Sequence, residues 1–174
     1  AAVEGFLGGG ESQLNPDLVR AGFADVRSPG RLEVVRRGPT VVVDAAHNPH
    51  GARALAEAIQ DGFDFTSLVG VVAVLEGKDA RGVLQALEPV LVEVIVTSTS
   101  SPRALDADLL AEVAVEVFGP DRVEVVPRLA DALDTAIERA DEAAAQLDGG
   151  TGVLITGSVV TAAEARAMLG RGEA

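Results

Sequence analysis

Short valine-rich segments alternate with amphipathic segments from about residue 31 onward, and this alternation constrains the fold more than any other feature. Six strands are predicted by the segments RLEVVRR, PTVVVDA, SLVGVVAVL, EVIVTST, RVEVVPR and TGVLITGS. Several of these are continuous apolar runs, which are typical of strands covered on both faces. The segments between and after them have helical periodicity. The pattern therefore predicts an α/β fold: a Rossmann-like open, mostly parallel sheet of about six strands flanked by helices.

Local signals mark the ends of several predicted helices. Asp106 is expected to cap the helix in DADLLAEVAVEVFG, and Gly119 is expected to end it. A capping box of Thr161 and Glu164 is expected to open the last helix. Residues 1–27 do not follow the strand–helix alternation. They predict two helices around GGGESQLN and are expected to form the tail of a preceding domain or a linker to one. The main domain is therefore expected to span residues 28–174.

Composition excludes several functional classes. The net charge of -13 argues against nucleic-acid binding, which requires basic surface. No apolar run reaches the length of a membrane-spanning helix. The absence of cysteine excludes disulfides, thiolate zinc sites and a cysteine nucleophile, and it fits a cytoplasmic location.

The segment TVVVDAAHNPHG places polar residues where a buried strand ends. Ligands of open α/β sheets bind at the carboxyl ends of the strands, so Asp44 and His47 are candidates for substrate contact. Asn48 is a good N-cap and Pro49 a good first helical residue, and the following helix N-terminus favours an anion. The alternative is that Asp44 and Asn48 only cap the helix. A metal site made by His47 and His50 is disfavoured, because Pro49 puts only the second histidine inside the helix; no metal ligands are predicted in this chain.

Other loops predicted at the same edge carry further candidates. Gly157 and Ser158 follow the last strand, and the glycine allows close approach of a ligand. Further candidates are Lys78 and Asp79 after the third predicted strand and Arg103 after the fourth predicted strand. Arg31, which follows the SPG turn at the presumed domain junction, is another. The phosphate-binding pattern G-x-x-x-x-G-K-[ST] does not occur, so any main ATP phosphate site has to lie outside this sequence.

Four separated motifs resemble the C-terminal domain of bacterial folylpolyglutamate synthase/dihydrofolate synthase, a member of the Mur ligase superfamily. They are SPGRLEVV, PTVVVDAAHNPHGARAL, KD and VLITGSVVTAAEAR, in the family's order and spacing. The resemblance covers roughly residues 28–170 and implies the fold given above. It also implies an ATP-dependent ligase that joins L-glutamate to dihydropteroate or folates through an acyl phosphate.

The resemblance also implies roles for individual residues. Arg31 and Asp44 would contact ATP, and His47 and Ser158 would hold glutamate or the reacting centre, with His47 as the catalytic candidate. Supporting positions would be Asn48, Lys78, Asp79 and Gly157. In the family, the central domain carries the phosphate-binding loop and the Mg²⁺ ligands, and the C-terminal domain closes over the nucleotide.

The expected partners follow from the same resemblance. They are the N-terminal and central ATPase domains of the same polypeptide, together with folate or dihydropteroate, L-glutamate and ATP. The protein is expected to be a monomer, and the 174-residue chain alone is expected to be inactive. Two alternatives stay open: the C-terminal domain of a peptidoglycan Mur ligase, and a non-catalytic module that binds a nucleotide or an amino acid.

Overall fold

The computed structural model describes residues 15–24 and 28–170. The six strands in this part of the chain are β1 (Glu33–Arg37), β2 (Thr40–Val43), β3 (Phe65–Val72), β4 (Glu93–Ser98), β5 (Val123–Arg128) and β6 (Gly150–Thr156). The α-helices are α1 (Pro16–Ala24), α2 (Pro49–Gly62), α3 (Ala80–Leu87), α4 (Ala107–Phe118), α5 (Leu129–Gln146) and α6 (Val159–Leu169). Short 3₁₀ turns at Glu88–Val90 and Pro120–Arg122 precede β4 and β5.

The six strands form one sheet in the order β1-β2-β6-β3-β4-β5. Only β1 is antiparallel to its neighbour, and the remaining pairs are parallel. This confirms the predicted open, mostly parallel α/β sheet of six strands. The last strand in sequence, β6, lies between β2 and β3, where its apolar residues are covered on both faces.

Successive strand residues pack against opposite layers of helices. Val42 and Leu154 belong to a core shared with α2, α3 and α4, whereas Val43 and Ile155 belong to a core shared with α5 and α6. The period of two along each strand therefore divides the apolar residues between the two faces. This explains why β2 and β6 are continuous apolar runs with no polar face.

The helix ends agree with the sequence signals in α4 but not in α6. Asp106 caps α4 by accepting from the N–H groups of Asp108 and Leu109, and Gly119 ends the helix with φ 82°. The predicted Thr161/Glu164 capping box is wrong. Helix α6 begins at Val159 with Ser158 as its N-cap, because β6 ends at Thr156 and the Ser158 hydroxyl accepts from the Thr161 N–H.

Helix α1, the described helix before residue 28, contributes no buried residue to this core. The first of the two helices predicted in residues 1–27 lies outside the described residues. The domain boundary at residue 28 stays a prediction. No helix among residues 15–24 and 28–170 is both long and apolar enough to cross a membrane.

Candidate functional site

The carboxyl ends of β2 and β6 define a crevice, because the loops that follow them turn to opposite faces of the sheet. The loop after β2 leads into α2, and the loop after β6 leads into α6, which packs on the other face. Such a divergence of neighbouring loops is the usual ligand site of an open α/β sheet. It brings the DAAHN and TGS segments together across a sequence distance of about 110 residues.

Asp44 fixes the first of these loops through both of its carboxylate oxygens. Oδ1 accepts from the Ala46 N–H at 2.7 Å, and Oδ2 accepts from the Leu32 N–H at 2.8 Å. The Asp44 N–H itself donates to the Ile155 carbonyl at 2.9 Å, which extends the β2–β6 pairing by one residue. Asp44 is 8% exposed and caps no helix. It joins the β2 loop to the turn before β1.

That turn, residues 28–32, presents Arg31 between two residues with left-handed backbone. Gly30 has φ 69° and Leu32 has φ 45°, the latter uncommon for a residue with a side chain. The Gly30 carbonyl accepts from the Ala45 N–H at 2.8 Å, and the Arg31 N–H donates to the Ser28 carbonyl at 3.0 Å. The backbone on both sides of Arg31 is therefore held, while its side chain is exposed.

His47 lies half-buried at the rim of the crevice. Its Nδ1 is 3.0 Å from the Ala45 carbonyl oxygen. Because a carbonyl only accepts, this contact places a hydrogen on Nδ1, and in the neutral ring Nε2 is then the unprotonated nitrogen. The Nε2 lone pair is thus available for a donor such as an ammonium group.

Asn48 and His50 have the local roles that helix signals predict. The Asn48 carbonyl oxygen of the side chain accepts from the Gly51 N–H at 2.8 Å, so Asn48 is the N-cap of α2, and Pro49 is its first residue. His50 is exposed in the first turn of α2. In the described parts of the chain, no group of three or more His, Asp or Glu side chains could hold a metal ion.

The loop after β6 is packed tightly against the end of β3. Gly157 has φ 109°, and a Cβ placed there would lie 2.5 Å from the Ala73 carbonyl oxygen. Its N–H donates to the Ala46 carbonyl at 3.0 Å, so this glycine directly links the two sides of the crevice. Ser158 is 1% exposed, and its hydroxyl is engaged by the Thr161 N–H at 2.9 Å and the Thr161 hydroxyl at 2.7 Å.

The remaining predicted positions lie along the same edge, after β3 and β4. Asp79 is the N-cap of α3 and accepts from the Gly82 N–H at 2.8 Å. Lys78 and Arg103 are exposed. The Glu76 N–H donates to the Arg103 carbonyl at 2.8 Å, which holds the two loops side by side.

A cleft of ≈ 270 Å³ opens between the residue 28–32 turn and α2. Its lining includes Arg31, Leu32, Asp44, Ala46, Gly51 and Ala54. The cleft combines an exposed guanidinium, a carboxylate and apolar surface, which suits a ligand that has both an anionic and an apolar part. Two residues that were not predicted as site residues hold the walls of the site: Glu33, and Thr161, which the sequence had marked only as a helix cap. The sequence carried a weak signal for the contact of Glu33 with the turn, because this acidic residue follows the turn glycine, Gly30, by three positions.

The fold and the site together define a class. Residues 30–159 match the family model described as Mur ligase, glutamate ligase domain, and the chain belongs to this family. Among curated proteins, it is 55% identical over 98% of its length to the dihydrofolate synthase/folylpolyglutamate synthase of Mycobacterium tuberculosis. It is 34% identical over 88% of its length to a probable bifunctional folylpolyglutamate synthase/dihydropteroate synthase of Haloferax volcanii.

Solved structures give the same picture. The M. tuberculosis folylpolyglutamate synthase complexed with ADP and AMPPCP is matched over 100% of this chain and 39% of that chain, with 56% identity and a TM-score of 0.92. These findings confirm the resemblance and the fold. The chain spans only 37% of the M. tuberculosis protein and 18% of the H. volcanii protein.

Proposed function

We propose that this chain is the C-terminal, nucleotide-closing and glutamate-binding domain of an ATP-dependent ligase that adds L-glutamate to dihydropteroate or folates. The observation that carries the proposal is the 55% identity to a dihydrofolate synthase/folylpolyglutamate synthase over 98% of the chain. The longer polypeptide that would carry this chain is called the parent ligase below.

The nucleotide side of the proposed site is formed by Arg31 and Asp44. Arg31 has an exposed guanidinium on a backbone held from both sides, which suits a phosphate oxygen. Each carboxylate oxygen of Asp44 accepts one backbone N–H and retains a second lone pair for a ribose hydroxyl. Asp44 would therefore position the loop and contact the nucleotide at the same time.

The glutamate side is formed by His47 and the loop at Ser158. The free Nε2 of His47 would accept from the glutamate ammonium group or take its proton. Ser158 would act chiefly by holding the start of α6, because its hydroxyl is already engaged by Thr161. Ser158 already accepts from the Thr161 N–H, but the N–H groups of Val159 and Val160 at the start of this helix have no intrahelical acceptor and would receive a glutamate carboxylate.

The proposed reaction has two steps. The γ-phosphoryl group of ATP is transferred to the carboxylate of dihydropteroate or folate, which gives an acyl phosphate and ADP. The glutamate nitrogen then attacks the acyl carbon, the C–N bond forms, the C–O bond to phosphate breaks, and phosphate leaves while the nitrogen loses its proton. The loop that carries His47 is bonded through Asp44 to the turn that carries Arg31. This connection would align the amine with the acyl phosphate.

Supporting roles follow from position. Asn48 and Asp79 would keep α2 and α3 in place through their caps, and Gly157 would keep the two loops in contact. Lys78 would supply positive charge at the edge of the sheet. The described residues do not provide a set of ligands for Mg²⁺, and its ligands are expected in the central domain.

The wider context is part of the same proposal. The parent ligase would contain the N-terminal and central ATPase domains, act as a monomer and reside in the cytoplasm. Relatives that are folylpolyglutamate synthases favour the folate branch over a peptidoglycan ligase. The sequence upstream of residue 1 distinguishes the ligase domain from a non-catalytic binding module. It should encode a phosphate-binding loop if the proposal is correct.

The test is a two-substrate kinetic study of the parent ligase with histidine variants. His47→Ala should lower kcat or raise the KM for glutamate by roughly 10- to 150-fold, the value of a hydrogen bond to a charged group. His50→Ala is the matched control, since His50 is exposed and three residues away, and it should stay within about twofold of wild type. Equal effects of the two substitutions, or no ATP-dependent addition of glutamate by the parent ligase, would refute the proposal.

A further inference from the structure

The turn that carries Arg31 is held by a second carboxylate, which belongs to Glu33 at the start of β1. Its Oε2 accepts from the Gly30 N–H at 2.7 Å. Both carboxylate oxygens also accept from Nε of Arg166, at 2.9 and 3.0 Å. Arg166 lies in α6, 133 residues further along the chain. Glu33 therefore ties the Arg31 turn to the helix whose N-terminus borders the crevice.

The turn needs such support because its backbone is unusual. Arg31 lies between two residues with positive φ, at 69° and 45°. A non-glycine residue in this region is strained and persists only where its surroundings hold it. Asp44 accepts from the N–H of Leu32, the residue after Arg31. Glu33 accepts from the N–H of Gly30, the residue before Arg31. The two carboxylates clamp the backbone on either side of the exposed guanidinium.

Electrostatics keep Glu33 in its charged form. Burial opposes the ionisation of Glu33, but the hydrogen bond from Gly30 and the guanidinium of Arg166 outweigh burial and lower the pKa of this carboxyl. The side chain of Glu33 is 27% exposed and that of Arg166 is 49% exposed. Ion pairs this exposed add little to stability, so a structural role alone gives a weak account of the contact.

We infer that Glu33 is a positioning residue for Arg31, and that Arg166 holds Glu33 in place. This role rests on the proposed function, in which Arg31 contacts the phosphates of ATP. Glu33 itself touches neither substrate. It keeps the Arg31 backbone in the one conformation that directs the guanidinium to the nucleotide, and it links that conformation to the position of α6.

A double-mutant cycle in the parent ligase tests this role. Glu33→Ala should raise the KM for ATP by about 5- to 20-fold, with the KM for glutamate close to wild type. In an Arg31→Ala background, the same substitution should add less than about twofold, because the residue it positions is gone. Glu33→Gln, which keeps an acceptor for the Gly30 N–H, should restore most of the ATP affinity.

The matched control is the ion pair of Glu93 and Arg139, in which Oε2 of Glu93 lies 2.8 Å from Nη1 of Arg139. The exposed fractions of the two side chains, 24% for Glu93 and 42% for Arg139, are similar to those of Glu33 and Arg166. Glu93 begins β4, at the opposite end of the sheet from the crevice, and Glu93→Ala should leave the KM for ATP within about twofold of wild type. If Glu33→Ala does not fold, Arg166→Ala replaces it in the cycle.

The outcomes separate the two proposals. If Arg31→Ala leaves the KM for ATP unchanged, the nucleotide contact of Arg31 is refuted, and the positioning role falls with it. If Arg31→Ala raises the KM for ATP but Glu33→Ala does not, or if the two effects multiply in full, only the positioning role is refuted.

Discussion

Replacing Asp44 by Ala tests whether this residue organises the site or only neighbours a helix cap. The substitution removes the acceptors of two backbone N–H groups, those of Leu32 and Ala46, at 2.8 and 2.7 Å. A hydrogen bond to a charged group contributes about 1.5–3 kcal/mol, so the two together contribute about 3–6 kcal/mol. Relaxation of Leu32 from φ 45° returns part of this, on the order of 1–3 kcal/mol. The midpoints of these two ranges, about 4.5 and about 2 kcal/mol, give an expected loss of about 2.5 kcal/mol in the free energy of unfolding.

The assay is urea unfolding of the 174-residue chain, followed by circular dichroism. Asn48→Ala in the same loop is the matched control, because Asn48 contributes a single N-cap bond and its loss should cost about 1 kcal/mol. Asp44→Asn keeps one oxygen acceptor and should fall between the two. If Asp44→Ala and Asn48→Ala destabilise the chain equally, by about 1 kcal/mol, the reasoning about Asp44 is wrong.

Three further predictions concern other parts of the site. Gly157→Ala should destabilise the chain by about 3 kcal/mol or more in the same unfolding assay. The new Cβ would lie 2.5 Å from the Ala73 carbonyl oxygen, and the positive φ would be strained. An unchanged urea midpoint would contradict this prediction. The extra stability of wild type over Glu33→Gln should be constant above about pH 5 and should shrink as the pH falls below about 4. The reason is that the folded pKa of Glu33 is lowered, and protonation removes the charge that faces Arg166. Unfolding curves from about pH 3 to 7 measure this difference in stability, and a difference that grows in acid would refute the prediction. The isolated chain should neither hydrolyse ATP nor add glutamate, since its sequence lacks the lysine-containing phosphate-binding loop; detectable turnover by the purified chain would show otherwise.

Much of the fold followed from the sequence because its signals are local and periodic. The valine runs predicted six strands, and the caps at Asp106 and Gly119 were correct, since each depends on a few neighbouring residues. The one wrong cap, at Thr161, shows the limit of such signals. Ser158 and Thr161 are three residues apart, and either can begin a helix. The end of β6 and the Thr161 hydroxyl, which donates to the carbonyl of Ala73 just after β3, decided between them.

The sequence by itself determined which residue types line the site, namely the polar residues that follow buried strands, and four motifs sufficed to indicate the family. Only the tertiary structure decided how these residues are held. The insertion of β6 between β2 and β3 puts Gly157 against Ala46, a pairing that no local pattern encodes. The bond from Leu32 to Asp44 and the pair of Glu33 with Arg166 join residues 12 and 133 positions apart. Local patterns record what each segment buries, whereas contacts between distant segments depend on strand order and on the turn geometry that the packed sheet imposes.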